Sequence, residues 1–190
     1  MPVIIPPKSS KLVWMDLEMT GLEPDRDTII EIATLVTDGD LNLLAEGPEL
    51  VIHQDPKLFD SMDDWNKEHH SKSGLWKKVV DSKVSLIEAE QMTLDFLKLH
   101  IGLRESPLCG NSIWQDRRFL FRYMPALETY LHYRLVDVST IKELAMRWNP
   151  SIKFSKAKGS HRALDDVRES LDELRFYRDT FFKMPTPPRA

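Results

Sequence analysis

The sequence predicts a mixed α/β domain in which a sheet opened by a β-hairpin carries helices on its faces. Three observations predict it. An alternating strand stands near the start, a β-branched run broken at "DGD" follows it, and from Ser85 onward helical periodicity alternates with short apolar stretches.

From Lys11 to Leu17 the chain alternates, with Leu12, Trp14, Asp16 and then Glu18 on one side and Val13, Met15 and Leu17 on the other. Gly21 and Pro24 mark the turn that ends this strand. "TIIEIATLVTDGDLNLLAEGPELVIH" reads as an antiparallel hairpin whose return strand covers Leu41 to His53. "SMDDWNKEHHSKSGLWKKVV" predicts one or two short helices. "SLIEAEQMTLDFLKLHI" predicts an amphipathic helix with Ile87, Met92, Leu94, Phe96, Leu97 and Ile101 as its apolar surface. "LCGNS" suits a buried strand tip, and "WQDRRFLFRYMPALETYL" a helix interrupted near Pro125. "RLVDVS" is a further strand and "TIKELAMRW" a helix stopped at Pro150. The last helix covers about Arg162 to Phe182.

With 190 residues, 42% hydrophobic and 29% charged, the chain fits one domain over residues 1–190, with Pro-rich tails at about 1–9 and 184–190. Neither tail reads as a signal peptide or membrane span, and no membrane association is expected. The single cysteine, Cys109, excludes an internal disulfide framework and fits a reducing compartment, so a cytoplasmic location is expected. A net charge of −4 argues against a protein that coats long nucleic acid. It does not exclude a nuclease, because bound cations invert the local field at a carboxylate cluster.

The acids stand out against this background. Asp16 and Glu18, at i and i+2 of a strand, project from one face about 6.6 Å apart at the usual rise per residue. Two ionised carboxylates beside a core repel each other and lose hydration, and protonation or a cation must relieve that cost. The alternative is a strand end already emerging into solvent. Asp116 shares a helical side with Phe119, Leu120 and Tyr123 and so points inward, or else serves as an acid favoured at a helix start. On the last helix Leu164, Val167, Leu171 and Leu174 define the buried stripe; at about 100° per residue Asp166 borders it and Asp165 faces water. His161 stands just before this helix, after the basic loop "KAKGS", either as a surface or capping residue or as a base mounted on a loop.

"DLE", "GNSIWQD" and "HRALDD", with four residues between His161 and Asp166, resemble the three motifs of the DEDDh exonuclease family. The likeness to the branch of that family acting on very short RNA runs over nearly the whole chain, through "DLEMTGL", "IIEIATLVTD", "MDDWN", "QDRRFL", "HYR" and "DVSTIKELAMRW". The resemblance implies a ribonuclease H-like mixed sheet flanked by helices, a homodimer and two divalent ions, Mg²⁺ or Mn²⁺. It implies 3′-to-5′ hydrolysis of very short oligoribonucleotides, especially dinucleotides, to 5′-mononucleotides. Carried over by position, Asp16, Glu18, Asp116 and Asp166 match the metal-binding acids and His161 the general base. Leu22 and Trp65 match base-stacking walls, with His70, Ser112 and Gln115 near the 5′ phosphate. Tyr133, Arg134 and Ser139 are implied to arrive from the other subunit. Trp114 stands where many relatives are expected to carry a small or polar residue, and either packs against a helix or partner or reshapes the mouth of the phosphate pocket.

Overall fold

The alternation near the N-terminus becomes β1 (Leu12–Met19). The computed structural model describes residues 11–155 and 162–182, so the tails expected at 1–9 and 184–190 and the position of His161 lie outside the described residues. β1 runs antiparallel to β2 (Ile29–Thr37), which pairs antiparallel with both β3 (Leu43–Glu46) and β4 (Leu50–Val51). Helices α1 (Leu58–Ser61), α2 (Asp64–Lys72), α3 (Leu75–Asp81) and α4 (Leu86–His100) follow. Then come β5 (Pro107–Gly110), α5 (Ile113–Tyr123), α6 (Pro125–Tyr130) and β6 (His132–Asp137). α7 (Val138–Trp148) and α8 (Ala163–Thr180) complete the order. β5 is parallel to β1 and β6 to β5, giving a mixed sheet in the order β3-β2-β1-β5-β6 with β4 beside β2.

The return strand expected over Leu41–His53 is instead split into β3 and β4. Pro48 has no amide to donate to a ladder, and a Cβ on Gly47 would lie 2.7 Å from the Phe96 ring, so the backbone bends where Phe96 presses against it. The helix signal over Val138 and Ser139 also beats the strand signal, because the Asp137 side chain accepts from the Ser139 amide at 2.9 Å and starts α7 there.

The two faces of β1 enter different cores. Val13, Met15 and Leu17 pack with Leu97 of α4, Phe119 and Leu120 of α5 and Leu127 of α6. Trp14 packs with Val138 and Ala145 of α7 and with Val167 and Leu171 of α8. Two apolar surroundings for alternate residues of one strand fix its register, since a one-residue slip would exchange them. The register places Asp16 and Glu18 on the Trp14 face, toward α8. In α4 the buried residues are Ala89, Thr93, Leu94 and Leu97, whereas Ile87 and Met92 of the expected stripe are exposed. The capping box of Ser85 and Glu88 begins that helix, and its buried face runs through small and β-branched positions that apolarity alone did not mark. Among the described residues no helix is long and apolar enough to cross a membrane.

Candidate active site

Carboxylate oxygens of Asp16, Glu18 and Asp166 all lie within 4.8 Å of one another. β1 supplies the first two from its last turn of alternation, and α8 lays Asp166 across them from its first turns. Asp165 is exposed, as its angle from the buried stripe predicts. Asp116 stands outside that close triplet, 6% exposed, and its Oδ1 accepts the Leu17 amide at 2.9 Å. The residue between the two strand acids therefore anchors the third acid through its backbone.

Burial, reinforced by the charges of Asp116, Glu18, Asp166 and Glu31, holds the Asp16 carboxyl well above the usual range. Burial, with Asp166, Glu31 and Asp116 adding to it and Arg162 opposing, pushes Glu18 to about 8. Asp116 is pushed to about 7, again chiefly by burial, although the Leu17 amide pulls it back. Several acids with raised affinity for protons, brought to one spot, form a donor set of hard oxygens suited to a divalent cation such as Mg²⁺ or Mn²⁺. The residues fit such a group.

The turn after β1 presents Leu22, 64% exposed, from a braced loop. Gln115 Nε2 donates to the Leu22 carbonyl at 2.6 Å, and Gln115 Oε1 accepts from Arg118 at 2.8 Å. Tyr123 OH reaches the carbonyls of Pro24 at 2.9 Å and Asp27 at 2.6 Å. Gly21 is required here, since a Cβ would meet the Asp27 carboxylate at 2.4 Å. Trp65 on α2 is 66% exposed and stacked on His69, with ring centroids 4.5 Å apart and planes 11° apart.

His70, expected near a 5′ phosphate, is set by its contact with the strand end. It is 1% exposed, its Nε2 is 2.9 Å from the Met19 carbonyl, and burial lowers its pKa. It ties α2, and hence Trp65, to the end of the acid-bearing strand.

Ser112 takes the left-handed conformation (φ 50°, ψ 30°) that few residues other than glycine adopt. Its amide donates to Asp137 Oδ1 and to Ser139 Oγ, each at 3.0 Å, and its Oγ lies 3.2 Å from Ser139 Oγ. Ser139 was expected from a second subunit. It meets Ser112 within this chain, because β5 and β6 are parallel neighbours whose C-terminal ends both lead into helix starts. Asn111 joins the pair: its Oδ1 accepts from Ser139 Oγ at 3.1 Å, and its Nδ2 donates to Ser170 and Glu173 of α8. Tyr133 and Arg134 lie on the open edge of the sheet, with the Arg134 guanidinium 5.5 Å from the centre of the exposed Tyr133 ring. Trp114 is exposed rather than packed into a helix; Arg118 stacks over it at 5.8 Å, and it lines a shallow cavity with Ser112 and Ser139.

A family model described as Exonuclease matches residues 13–174. The oligoribonuclease of Pseudomonas aeruginosa (strain PAO1) is 60% identical over 174 residues, which cover 91% of this chain and 97% of that protein. This chain belongs to the oligoribonuclease family of exonucleases. The oligoribonuclease of Halorhodospira halophila is 59% identical over 175 residues, 92% of this chain and 96% of that one. Among solved structures, E. coli Exonuclease I with a dA16 oligonucleotide superposes at a TM-score of 0.66 with 12% identity, over 90% of this chain. Exonuclease I of Methylocaldum szegediense gives 0.62 with 18% identity over the same share. This chain spans 41% of the length of each, and the likeness establishes the ribonuclease H-like fold expected from the motifs.

Within this oligoribonuclease-family site, sequence reasoning missed Glu31, Arg162, Asn111, Arg118 and Tyr123. One signal was available: Glu31 is the lone charge in the β-branched run "IIEIATLV", and a charge in a doubly buried strand demands a partner.

Proposed function

We propose that this chain is a metal-dependent 3′-to-5′ exoribonuclease that hydrolyses very short oligoribonucleotides, dinucleotides above all, to 5′-mononucleotides. The chemistry rests on one observation, the convergence of Asp16, Glu18 and Asp166 within 4.8 Å, with the buried Asp116 tied to the strand between the first two. The choice of substrate rests on near-full-length identity to oligoribonucleases.

In this reading Asp16, Glu18, Asp116 and Asp166 hold two divalent cations. When bound, such ions polarise the scissile phosphate and make water a stronger nucleophile near neutral pH. His161, by its place in "HRALDD", takes the proton of the attacking water, a role suited to an imidazole that is neutral at physiological pH. Leu22 and Trp65 stack on the bases without reading their edges, so sequence is not selected. Ser112 and Ser139, with Gln115 bracing Leu22, bind and orient the 5′ phosphate at the start of α5, where a left-handed residue turns the chain.

Tyr133 and Arg134 lie on an open sheet edge, and in a homodimer they supply the partner's site with a ring and a bidentate phosphate donor. Closing over a terminal phosphate rejects long chains by shape. A modest net negative charge fits, since no long basic track is needed.

The test compares hydrolysis of two-nucleotide and ten-nucleotide RNA at equal concentration with Mg²⁺ or Mn²⁺. Faster turnover of the dinucleotide, with 5′-mononucleotides as products and none from Asp16→Asn, is the expected result. Equal turnover of the ten-nucleotide strand overturns the dinucleotide pocket.

A further inference from the structure

Glu31 is the third residue of β2, 0% exposed, directly in register with Glu18 across the β1–β2 ladder. A further carboxylate beside an acid cluster is costly unless it is fully paired. It is. Arg162 Nε donates to both its oxygens, at 2.9 and 3.0 Å, and an Arg162 terminal nitrogen also contacts Oε1. The Ala163 amide donates to Glu31 Oε2 at 3.1 Å. The same terminal nitrogen also donates to Glu49 Oε1 at 2.8 Å.

These contacts gather at the start of α8. Arg162 is the N-cap residue of that helix and its own side chain makes no capping bond, so Glu31, 132 residues before Ala163, supplies the acceptor that the first free amide needs. The Asp166 amide donates to the Arg162 carbonyl at 3.1 Å, one turn along. The position of Asp166 over Asp16 and Glu18 is thus set from two residues that belong to neither the acid group nor the pocket.

We propose that Glu31 and Arg162 are positioning residues for the cation site, forming a buried latch that sets Asp166 in register with Asp16 and Glu18. The inference rests on the cation site proposed above. Its rival is simple electrostatics, and the two differ in sign. If Arg162 acts only as a nearby positive charge, removing it strengthens cation binding. If it positions Asp166, removing it weakens binding.

The experiment uses the full chain and titrates Mn²⁺ calorimetrically into wild type, Arg162→Gln, Arg162→Lys, the double variant Glu31→Gln/Arg162→Gln, and Asp16→Asn. The double variant keeps the net charge and leaves no unpaired buried carboxylate, so it remains informative where Arg162→Gln fails to fold. Expected are a loss of Mn²⁺ affinity of roughly 10–100-fold in the double variant, the range seen when an outer partner of a metal ligand is removed, and partial recovery in Arg162→Lys. Faster amide exchange over residues 163–167 of the metal-free double variant, and a fall in kcat with KM for a dinucleotide nearly unchanged, are expected alongside. Mn²⁺ affinity equal to or tighter than wild type in a folded double variant overturns the latch while Asp16→Asn, having lost Mn²⁺ binding, upholds the site. Wild-type Mn²⁺ binding by Asp16→Asn overturns the site, and the latch with it.

Discussion

The Leu17 amide donates to Asp116 Oδ1 at 2.9 Å, so the strand that carries two acids holds the third by its own backbone. A side-chain substitution at position 17 keeps that donor, whereas loss of the Asp116 acceptor strands a buried N–H. Asp116→Ala therefore damages β1 as well as the site, and Asp116→Asn, which keeps an acceptor oxygen, separates the two effects. Asp116→Asn is expected to melt within a few degrees of wild type and to have lost nearly all hydrolysis of a dinucleotide, measured by product release under saturating Mg²⁺.

The raised carboxyls make a prediction about pH. Glu18 moves from an ordinary 4.5 to about 8 and Asp116 from 3.8 to about 7, so the folded chain binds protons more tightly than the unfolded one. That contribution to stability is fully present below the ordinary values and is lost as pH rises through about 7 and 8. Metal-free protein is expected to melt at progressively lower temperature from pH 5 to pH 9. Mn²⁺, which replaces the protons, is expected to raise the melting temperature more at pH 8 than at pH 5. A flat metal-free profile in scanning calorimetry contradicts the assignment.

Leu22 and Trp65, the proposed stacking walls, are exposed side chains on braced supports, so truncating them tests that proposal without emptying a core. Trp65→Ala is expected to raise KM for a dinucleotide by roughly 5–150-fold, from about 1–3 kcal/mol per stacked base, with the melting temperature unchanged within error.

Tyr123→Phe tests the brace behind Leu22. The phenol's single O–H is shared between two carbonyls of the loop, Pro24 and Asp27, and removing it takes away that donor. A loss of about 1 kcal/mol of stability is expected, together with a rise in KM and little change in kcat, because the acids belong to β1, α5 and α8 rather than to the loop.

His70 gives the contrasting case. It is buried and bonded to the Met19 carbonyl, so His70→Ala is expected to lower stability by about 1–3 kcal/mol through the unpaired carbonyl. The loss is read by denaturant unfolding. A variant as stable as wild type that had lost only 5′-phosphate recognition would return His70 to the pocket.

Much of the fold was legible because local chemistry dictated it. The period of β1 sorted Trp14, Asp16 and Glu18 from Val13, Met15 and Leu17, and the helical angles of Asp165 and Asp166 assigned one to water and one to the core edge. Pro125 broke α5 from α6 as its missing amide requires. The acids were equally visible, since carboxylates on an apolar face are a local anomaly.

What the sequence by itself determined was therefore most of the elements, though not the division of the return strand, together with the sides of β1 and α8 on which the acids lie and the family, all properties carried by short-range periodicity and contiguous motifs. Only the tertiary structure decided that Ser139 meets Ser112 in the same chain, that His70 is a buried tie, that Phe96 divides the return strand at Gly47, and that Glu31 caps a helix 132 residues away. Those facts depend on which distant segments pack together, and contact between remote residues leaves no periodic trace in either of them.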